Sequence, residues 1–387
     1  GYLQGYHTGE GKNGITVYDK SQSFEGLNFF TSGHAQAAFL MNMYGEIIHQ
    51  WRLNDPLVEK RLESIINSEN DPTIRAIYRE ACTYWRRAYL YPNGDILAIY
   101  SQIFMIKLDR DSNLIWISNI TGTHHHMQVA DNGNIYILVK QDQSIPEPFC
   151  QEEKCQTDFI VILNPDGEVI KSISLLKCFA ASDYRHLLQQ MPKKNEQFHT
   201  NTIQLFDGSL SHISPLFRKG NALISPLYLN AIAIVDLERE LVVWALEGSE
   251  NNFWSGMHEP VLLNNGNILI FDNGINRSWS RIIEVNPLTQ EIVWEYQAPE
   301  LKDFYTLGRG ANQRLPNGNT LITESNKGRV FEITPSGKIV WEFYTPHQNE
   351  NAQRATIIRM RRYSSDYIDK IRQCALNDKC LINNRPL

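Results

Sequence analysis

Residues 310–343 read GANQRLPNGNTLITESNKGRVFEITPSGKIVWEF and contain two short hairpins in succession. The first, QRLPNGNTLIT (313–323), turns at Asn-Gly, and the second, VFEITPSGKIVWEF (330–343), ends on a Trp-containing strand. Both alternate apolar and polar residues with a period of two, which is typical of antiparallel strands. The Asn-Gly dipeptide favours a tight two-residue connection. Together the two hairpins predict one four-stranded antiparallel sheet.

The same two hairpins recur along the chain. The hairpin type that often ends in Trp occurs at 38–51, 104–117, 159–173, 232–246, 282–296 and 330–343, and the Asn-Gly or Asp-Gly type at 88–100, 126–138, 202–210, 261–271 and 313–323. Five complete pairs and one incomplete pair predict six sheets. Six such sheets arranged radially form a β-propeller.

The incomplete pair is the first one, which lacks a preceding inner strand. Residues 353–363, QRATIIRMRRY, have the pattern to supply it. Pairing of the two chain ends would close the ring and remove an open sheet edge. We therefore predict an all-β, six-bladed propeller over residues 24–363, closed by N- and C-terminal strands. Segment 55–82 has helix-like apolar spacing and predicts a small helical insertion on one face, with an N-terminal segment at 1–23 and a C-terminal extension at 364–387.

Composition excludes several classes of protein. The 387 residues are 42% hydrophobic and 21% charged, so the chain is expected to fold. Its net charge of −6 argues against a partner such as DNA or RNA, whose phosphates need basic side chains. No window of about 18 apolar residues is present to span a bilayer. A signal or membrane anchor preceding Gly1 is compatible with this composition.

Four of the six cysteines form two closely spaced pairs. They are Cys150 and Cys155 in CQEEKC, and Cys374 and Cys380 in CALNDKC. Neither pair has the two-residue gap of a zinc hairpin, so the spacing favours disulfides over a metal or free thiols. Disulfides in turn predict a periplasmic or extracellular protein.

Alignment of the inner hairpins on their turn glycines brings basic side chains to one position. Eight residues before the glycine stand Arg86, His125 and His258, and one step away stand His199 and Arg309; Arg354 occupies a similar place in the closing strand. Radial symmetry would direct these residues towards a common channel. We name Arg86, Asn201, Arg277, Asn312 and Arg354 as candidate substrate-binding residues.

Three functions are compatible with this cluster. Arg side chains can bind the oxygens of an anionic group while a His attacks it or transfers protons near neutral pH. Alternatively, His125, His199 and His258 could ligate a mononuclear transition metal such as copper, zinc or iron. A third reading is a non-catalytic binding propeller. The HExxH motif of zinc enzymes is absent. The P-loop pattern is absent as well, so no nucleotide cofactor is expected. Six loop residues could also join the site, although such residues more often cap turns. They are His34, Asn273, Arg277, Glu324, Asn326 and His347.

The chain resembles the bacterial arylsulfotransferase family over roughly residues 24–345. The resemblance is clearest in FHTNTIQLFDG (198–208), MHEPVLLNNGNILIFDNG (257–274), SRIIEVNPLTQEIVWEY (280–296) and the 310–343 stretch. It implies a six-bladed, typically periplasmic propeller that moves a sulfuryl group between phenols through a sulfated histidine, without a nucleotide sulfate donor. The resemblance maps two of the family's channel histidines onto His199 and His258.

One segment departs from the family pattern. Where the resemblance places the covalent histidine, this sequence has Leu307-Gly-Arg-Gly-Ala-Asn312 and no imidazole. Either His125, His199 or His258 takes that role, or, if the alignment shifts by one sheet, His347. We expect these three imidazoles and Arg309 to be catalytic, an aryl sulfate or phenol to be the small-molecule substrate, and no cofactor to be needed.

Overall fold

The computed structural model describes residues 4–9, 11–248 and 253–367, and antiparallel strands make up most of them. In chain order the strands are β1 Tyr6–His7, β2 Gly14–Tyr18, β3 Leu27–Ser32, β4 Ala37–Met41, β5 Ile47–Arg52, β6 Arg87–Leu90, β7 Ile96–Ile99, β8 Met105–Leu108, β9 Leu114–Ile117, β10 Thr123–Val129, β11 Ile135–Gln143, β12 Cys155–Leu163, β13 Val169–Ser174, β14 Thr200–Leu205, β15 Asn221–Pro226, β16 Ala231–Asp236, β17 Leu241–Glu247, β18 Met257–Leu262, β19 Ile268–Asp272, β20 Arg281–Asn286, β21 Glu291–Tyr296, β22 Ala311–Arg314, β23 Thr320–Glu324, β24 Arg329–Ile333, β25 Ile339–Tyr344, β26 Arg354–Ala355 and β27 Ile357–Tyr363. The α-helices are α1 Pro56–Ser68, α2 Pro72–Ala81 and α3 Leu175–Ala180.

These strands form six sheets that are the blades of a β-propeller, as the repeat predicts. The chain divides into two compact units, residues up to 123 together with those from 308 on, and residues 124–307. In the first unit the strand orders are β27-β3-β4-β5, β6-β7-β8-β9 and β2-β25-β24-β23-β22, and in the second they are β10-β11-β12-β13, β14-β15-β16-β17 and β18-β19-β20-β21. Each blade therefore combines one inner and one outer hairpin.

Closure of the first blade is confirmed. Its inner strand is β27, which pairs antiparallel with β3 from Ile357 opposite Ser32 to Tyr363 opposite Leu27. The N-terminal segment contributes more than the sequence predicts, because β2 adds a fifth strand to β25 and β1 pairs with β26. Both chain ends therefore cover sheet edges that would otherwise be open.

Two details of the hairpins differ from the sequence prediction. In the Asn-Gly turns only the glycine has a positive φ, such as 89° at Gly94, so the connections have three residues and not the predicted two. A type I turn followed by a left-handed glycine gives this geometry, whereas a two-residue type I′ turn needs two positive φ values. The predicted hairpin at 202–210 is wrong as well, because β15 begins only at Asn221, after a 3₁₀ turn at Pro215–Phe217.

The helices begin where Asp-Pro dipeptides predict a cap. Asp55 accepts hydrogen bonds from the backbone N–H groups of Leu57 and Val58, and Asp71 caps α2 in the same way. Proline at the first helical position suits both starts, since its missing N–H would have no partner there. Val58 of α1 is buried in the apolar cluster that contains Trp85.

Trp side chains of the outer strands tie neighbouring blades of the first unit together. Trp51 Nε1 donates a hydrogen bond to the carbonyl oxygen of Gly94 at 2.9 Å, and Trp341 Nε1 donates to that of Met43 at 3.0 Å. Both indoles are almost fully buried. Trp51 and Trp341 therefore pack between neighbouring blades, and the one polar atom of each side chain has a hydrogen-bond partner.

Cys150 and Cys155 are joined by a disulfide, whereas Cys82 and Cys178 are free thiols. The predicted Cys374–Cys380 pair lies outside the described residues. Among the residues that the structure describes, no helix has the length and apolar character to cross a membrane.

Candidate functional site

The three histidines predicted from the sequence belong to the second unit, at the starts of the inner strands β10, β14 and β18. His125 lies within β10 and His199 directly precedes β14. Both adopt left-handed backbone conformations, with φ of 44° and 50°. This conformation costs a non-glycine residue about 1 to 2 kcal/mol and is characteristic of functional sites. Strained backbone therefore fixes the direction of both imidazoles.

In β18 a residue with a left-handed backbone, Glu259, directly follows His258. Glu259 has the left-handed φ of 46°, and the strand pairing shifts between His258 and Val261. A bulge of this kind inserts a residue and redirects the side chains beside it. The bulge therefore lies directly beside His258.

His125 contacts a buried histidine and, through it, a buried carboxylate. Its Nδ1 lies 2.8 Å from His124 Nδ1, and His124 Nε2 lies 3.5 Å from Asp158 Oδ1. Thr200 donates its backbone N–H to Asp158 Oδ2 at 2.6 Å. His124 and Asp158 are fully buried, and His125 is only 5% exposed. Asp158, His124 and His125 are therefore neighbours in this order, and we call them the Asp158 series.

His199 has its own carboxylate. Its Nδ1 lies 2.9 Å from Glu196 Oε2, and the other oxygen of Glu196 lies 2.5 Å from Lys140 Nζ. Burial opposes ionisation of Glu196, but the hydrogen bond and charge of His199, together with Lys140, hold the pKa of this carboxyl well below its usual value. The carboxylate is thus ionised and fixes Nδ1–H of His199 towards itself.

The imidazoles of His125 and His199 face each other. Their ring centroids are 4.6 Å apart with an interplanar angle of 62°. Each ring has its Nδ1 engaged by a protein group. The structure therefore brings together two of the three predicted histidines.

His258 is anchored in the same way by a neutral group. Its Nδ1 lies 2.7 Å from Asn273 Oδ1, and Asn273 Nδ2 donates to the carbonyl oxygen of Thr306 at 2.9 Å. The Asn273 amide is thereby fixed with its oxygen towards His258, which makes Nδ1 the protonated nitrogen. His258 is also partly exposed, unlike His125 and His199.

Strand β14 connects His199 to the strand that carries His258. Asn201 donates from Nδ2 to the carbonyl oxygen of Met257 at 2.9 Å, and Thr202 Oγ1 accepts the backbone N–H of Glu259 at 3.2 Å. The predicted substrate-binding residue Asn201 therefore positions the backbone next to His258. No hydrogen-bond partner of its Oδ1 is found among the described residues.

Arg277, another predicted substrate-binding residue, lies in the loop after Asn273. Its Nη2 is 2.7 Å from the buried carboxylate of Asp272, which also binds Arg281 at 2.8 Å. The guanidinium stacks over Trp279 at 4.4 Å. Asp272 thus pairs with two guanidinium groups, and Arg281 also pairs with Glu295 at 2.9 Å.

The remaining predicted residues, Arg86, Arg309, Asn312 and Arg354, belong to the first unit and are buried. Arg309 has a left-handed φ of 62° and donates from Nη2 to the hydroxyl of Tyr84 at 3.0 Å. Burial lowers the pKa of His7 to about 4, and the charge of Arg309 adds to this shift. The sequence does not predict that His7, in the N-terminal segment, lies near Arg309.

Arg354 does not begin the closing strand, which starts three residues later at Ile357. It lies in β26, where Nη1 donates to Asn13 Oδ1 at 2.9 Å and Nη2 donates to the carbonyl oxygen of Lys12 at 2.5 Å. The guanidinium also lies over the ring of Tyr344. These contacts attach the N-terminal segment to the last blade.

His347 and His34 form a stacked pair in the first unit, with ring centroids 3.5 Å apart. Burial, the neighbouring His347 and Arg52 lower the pKa of His34 to about 3. Glu324, in contrast, is fully buried and paired with Lys327 and Arg329. All three loop candidates therefore have protein partners.

Metal and thiol chemistry find little support in the described residues. No three His, Cys, Asp or Glu side chains there are arranged to hold a metal ion. Burial raises the thiol pKa of both Cys82 and Cys178 to about 12, so neither is a ready nucleophile. Imidazole and carboxylate groups remain as the reactive side chains of the second unit.

Sequence reasoning missed the carboxylates that support the histidines. Glu196 lies three residues before His199, and a carboxylate so close to a candidate histidine is a usable signal. Asp158 is the charged residue at the start of an otherwise apolar strand, TDFIVIL, which is a weaker signal. Neither the His124–Asp158 contact nor the Lys140–Glu196 pair can be predicted from spacing, since the two partners in each lie far apart in the sequence.

Comparisons with solved structures show the fold alone. A protein of unknown function from Bacteroides caccae aligns with a TM-score of 0.51 and 14% identity, over 87% of this chain and 98% of that one. Virginiamycin B lyase from Staphylococcus aureus aligns with a TM-score of 0.48 and 13% identity, over 89% and 86%. A streptogramin B lyase aligns with 0.49 and 14%, over 93% and 97%.

Sequence comparison gives the family. No curated protein matches the chain. The sequence profile of the arylsulfotransferase (ASST) family matches residues 90–349, about two thirds of the chain. This span includes the Asp158 series, the Glu196–His199 pair and His258. The chain therefore belongs to the arylsulfotransferase family.

Proposed function

We propose that this protein transfers a sulfuryl group from an aryl sulfate to a phenol through a covalent intermediate on His258. The reaction uses neither a nucleotide sulfate donor nor a metal. Family membership supports a small aryl substrate, and the disulfide between Cys150 and Cys155 supports a periplasmic or extracellular location.

The anchoring of His258 is the observation that carries the proposal. Asn273 accepts the Nδ1 proton, so the lone pair of the imidazole is at Nε2, the nucleophilic nitrogen. His258 is more exposed than His125 and His199, and a bulky aryl sulfate needs such access.

The transfer has two steps. His258 Nε2 forms a bond to sulfur while the bond from sulfur to the aryl oxygen breaks, and the departing phenolate takes a proton from a second imidazole. The acceptor phenol then gives its proton to that imidazole, attacks sulfur and releases His258. Ping-pong kinetics follow, because the donor product leaves before the acceptor reacts.

The test uses 4-nitrophenyl sulfate as donor and phenol as acceptor. Wild-type protein should release nitrophenol in proportion to phenyl sulfate formed, and His258→Ala should abolish turnover. His212→Ala is the matched control, since His212 is an exposed histidine whose ring contacts only a backbone carbonyl among its described bonds. If His258→Ala turns over at the wild-type rate, His258 is not the nucleophile. Elemental analysis of active protein checks the absence of a metal requirement.

The first-unit candidates Arg86, Arg309, Asn312 and Arg354 remain predictions from the sequence, and the transfer through His258 does not require them.

A further inference from the structure

The chain segment that carries Glu196 lies beside a loop that is closed by a disulfide. The loop, residues 149–156, contains the bond between Cys150 and Cys155, and we call it the disulfide loop. Residues 193–197 are the Glu196 segment. Gln156 of the loop and Glu196 lie opposite each other in an isolated parallel bridge. The disulfide is therefore close in space to the carboxylate that contacts His199.

Backbone hydrogen bonds join the disulfide loop to the Glu196 segment on both sides of Glu196. The backbone N–H of Gln156 donates to the carbonyl oxygen of Asn195 at 2.9 Å. The backbone N–H of Gln197 donates to the carbonyl oxygen of Gln156 at 3.0 Å. Because Gln156 directly follows Cys155, the end of the disulfide loop fixes the residues before and after Glu196.

Side chains add contacts from the rest of the disulfide loop. Glu152 Oε2 accepts the backbone N–H of Asn195 at 2.9 Å. Gln197 Nε2 donates to the carbonyl oxygen of Phe149 at 2.5 Å, and Gln197 is fully buried. Both ends and the middle of the loop thus contact the Glu196 segment, so the position of that segment depends on the shape of the loop.

The disulfide is the buried anchor of this loop. Residues 151–154 are exposed and lie outside the helices and strands. Cys150 and Cys155, in contrast, are almost fully buried and pack with Ile145, Phe149 and Leu176. A segment with few buried apolar contacts opens easily unless another bond holds it. The Cys150–Cys155 bond supplies that constraint.

The backbone around Glu196 needs such a constraint. Asn195 directly before it and His199 three residues after it have left-handed φ values of 57° and 50°. Residues other than glycine keep this conformation only where the surrounding structure enforces it. The disulfide loop binds both the N–H and the carbonyl oxygen of Asn195, and so holds the first of these two positions.

A role in global stability alone accounts for less of this arrangement. A disulfide between residues five positions apart closes a short loop, and short loops restrict the unfolded chain less than long ones. The contacts described above are local to the Glu196 segment. The main effect of the bond is therefore expected where the loop meets that segment.

We propose that the disulfide loop is a positioning element of the candidate site. The Cys150–Cys155 bond keeps the carboxylate of Glu196 in contact with both His199 and Lys140. The loop acts through Glu196 and is not itself assigned a contact with substrate. This inference does not rest on transfer through His258, because it concerns how His199 is held.

The ionisation of Glu196 reports these contacts directly. Burial opposes its ionisation, but His199 and Lys140 outweigh burial and hold the pKa of this carboxyl well below its ordinary value of about 4.5. His124 and Asp158 are the other ionisable groups that interact with it. If the carboxylate moves away from His199 and Lys140, its pKa should rise towards the ordinary value.

The test compares wild-type protein with the double variant Cys150→Ala/Cys155→Ala by carbon NMR of ¹³C-labelled glutamate. At about pH 3.5 a Glu side chain with an ordinary pKa is mostly protonated. We expect Glu196 to be ionised in the wild type and mostly protonated in the double variant. The matched control is Cys178→Ala, which removes a buried free thiol of the same unit and no cross-link. It should leave Glu196 ionised, and Trp fluorescence checks that each protein is folded.

A milder pair of variants serves if the double variant does not fold at this pH. Glu152→Ala removes the acceptor of the Asn195 N–H, and Glu153→Ala removes the same charge from the exposed neighbour. Comparison of the two cancels the general effect of a lost negative charge. We expect a higher Glu196 pKa in Glu152→Ala than in Glu153→Ala.

Two results would overturn the positioning role. One is a folded double variant in which Glu196 stays ionised at about pH 3.5 as in the wild type. The other, decisive where the double variant is unfolded, is an equal Glu196 pKa in Glu152→Ala and Glu153→Ala. Neither measurement needs a sulfuryl donor, so failure of the proposed transfer in the His258→Ala experiment is a separate outcome.

Discussion

At the scale of single residues, the three histidines share one chemical pattern. In each, Nδ1 contacts a protein group, and the partners differ in charge: neutral His124 for His125, anionic Glu196 for His199 and neutral Asn273 for His258. The chemistry open to each imidazole therefore depends on which group holds its Nδ1. Residue type alone does not show which histidine is the nucleophile, so the sequence leaves this assignment open.

Removal of the Glu196 charge should lower stability in a pH-dependent way. Glu196→Gln leaves Lys140 buried without its carboxylate, which should reduce the free energy of unfolding by about 3 kcal/mol at pH 7. The folded pKa of Glu196 lies below its unfolded value of about 4.5, so this stability is present above that pH and is lost as the pH falls further. Urea titrations at pH 7 and pH 4 measure the difference.

The control for that comparison is Glu350→Gln, at an exposed position, which should unfold like the wild type at both pH values. The assignment of Glu196 as an ionised, paired carboxylate fails if Glu196→Gln is as stable as the wild type at pH 7, or if the difference grows as the pH falls.

At the scale of elements, hairpins could be predicted and their details could not. Period-two patterning and turn glycines give strands β22 to β25 within one or two residues of the structure. They do not give the bulge in β18 beside His258, because a bulge depends on pairing with the neighbouring strand. They also do not give the late start of β15. Asp207-Gly208 is followed by a polar segment that patterning and turn residues do not distinguish from a strand.

The closing strand β27 contains a buried ion pair that should control stability of the first blade. Arg362 is fully buried, contacts Glu332 through Nη1 and donates from Nε to Asn28 Oδ1 at 2.8 Å. Arg362→Met leaves Glu332 as an uncompensated buried charge and should reduce the free energy of unfolding by about 3 to 5 kcal/mol. Chemical denaturation monitored by Trp fluorescence measures this loss, and Trp341 lies directly beneath the guanidinium.

Arg361→Met tests whether the position or the charge matters, because Arg361 is a neighbour on the same strand but only partly buried. We expect a change of well under half the effect of Arg362→Met. Comparable losses for both variants would show that any cation on β27 is equivalent, and the buried pair with Glu332 would then have no special role.

At the scale of the whole molecule, repetition explains why distant residues could be grouped from the sequence. Six repeats predict the blades, and closure of the first blade by residues 353–363 follows from its missing inner strand. The position that each blade presents at the start of its inner strand could therefore be compared. Contacts made by outer strands and loops, such as those of Asp158 and Glu196, do not repeat, and only the structure reveals them.

The central claim is that His258 becomes sulfated during the reaction. The most direct measurement incubates the protein with 4-nitrophenyl sulfate in the absence of acceptor, quenches it at alkaline pH and maps the peptides by mass spectrometry. We predict the mass of one SO₃ group on the peptide that contains His258, in an amount equal to the nitrophenol released, and its loss when phenol is added. Release of nitrophenol with no modified His258 peptide, or with the group on another histidine, would contradict this claim.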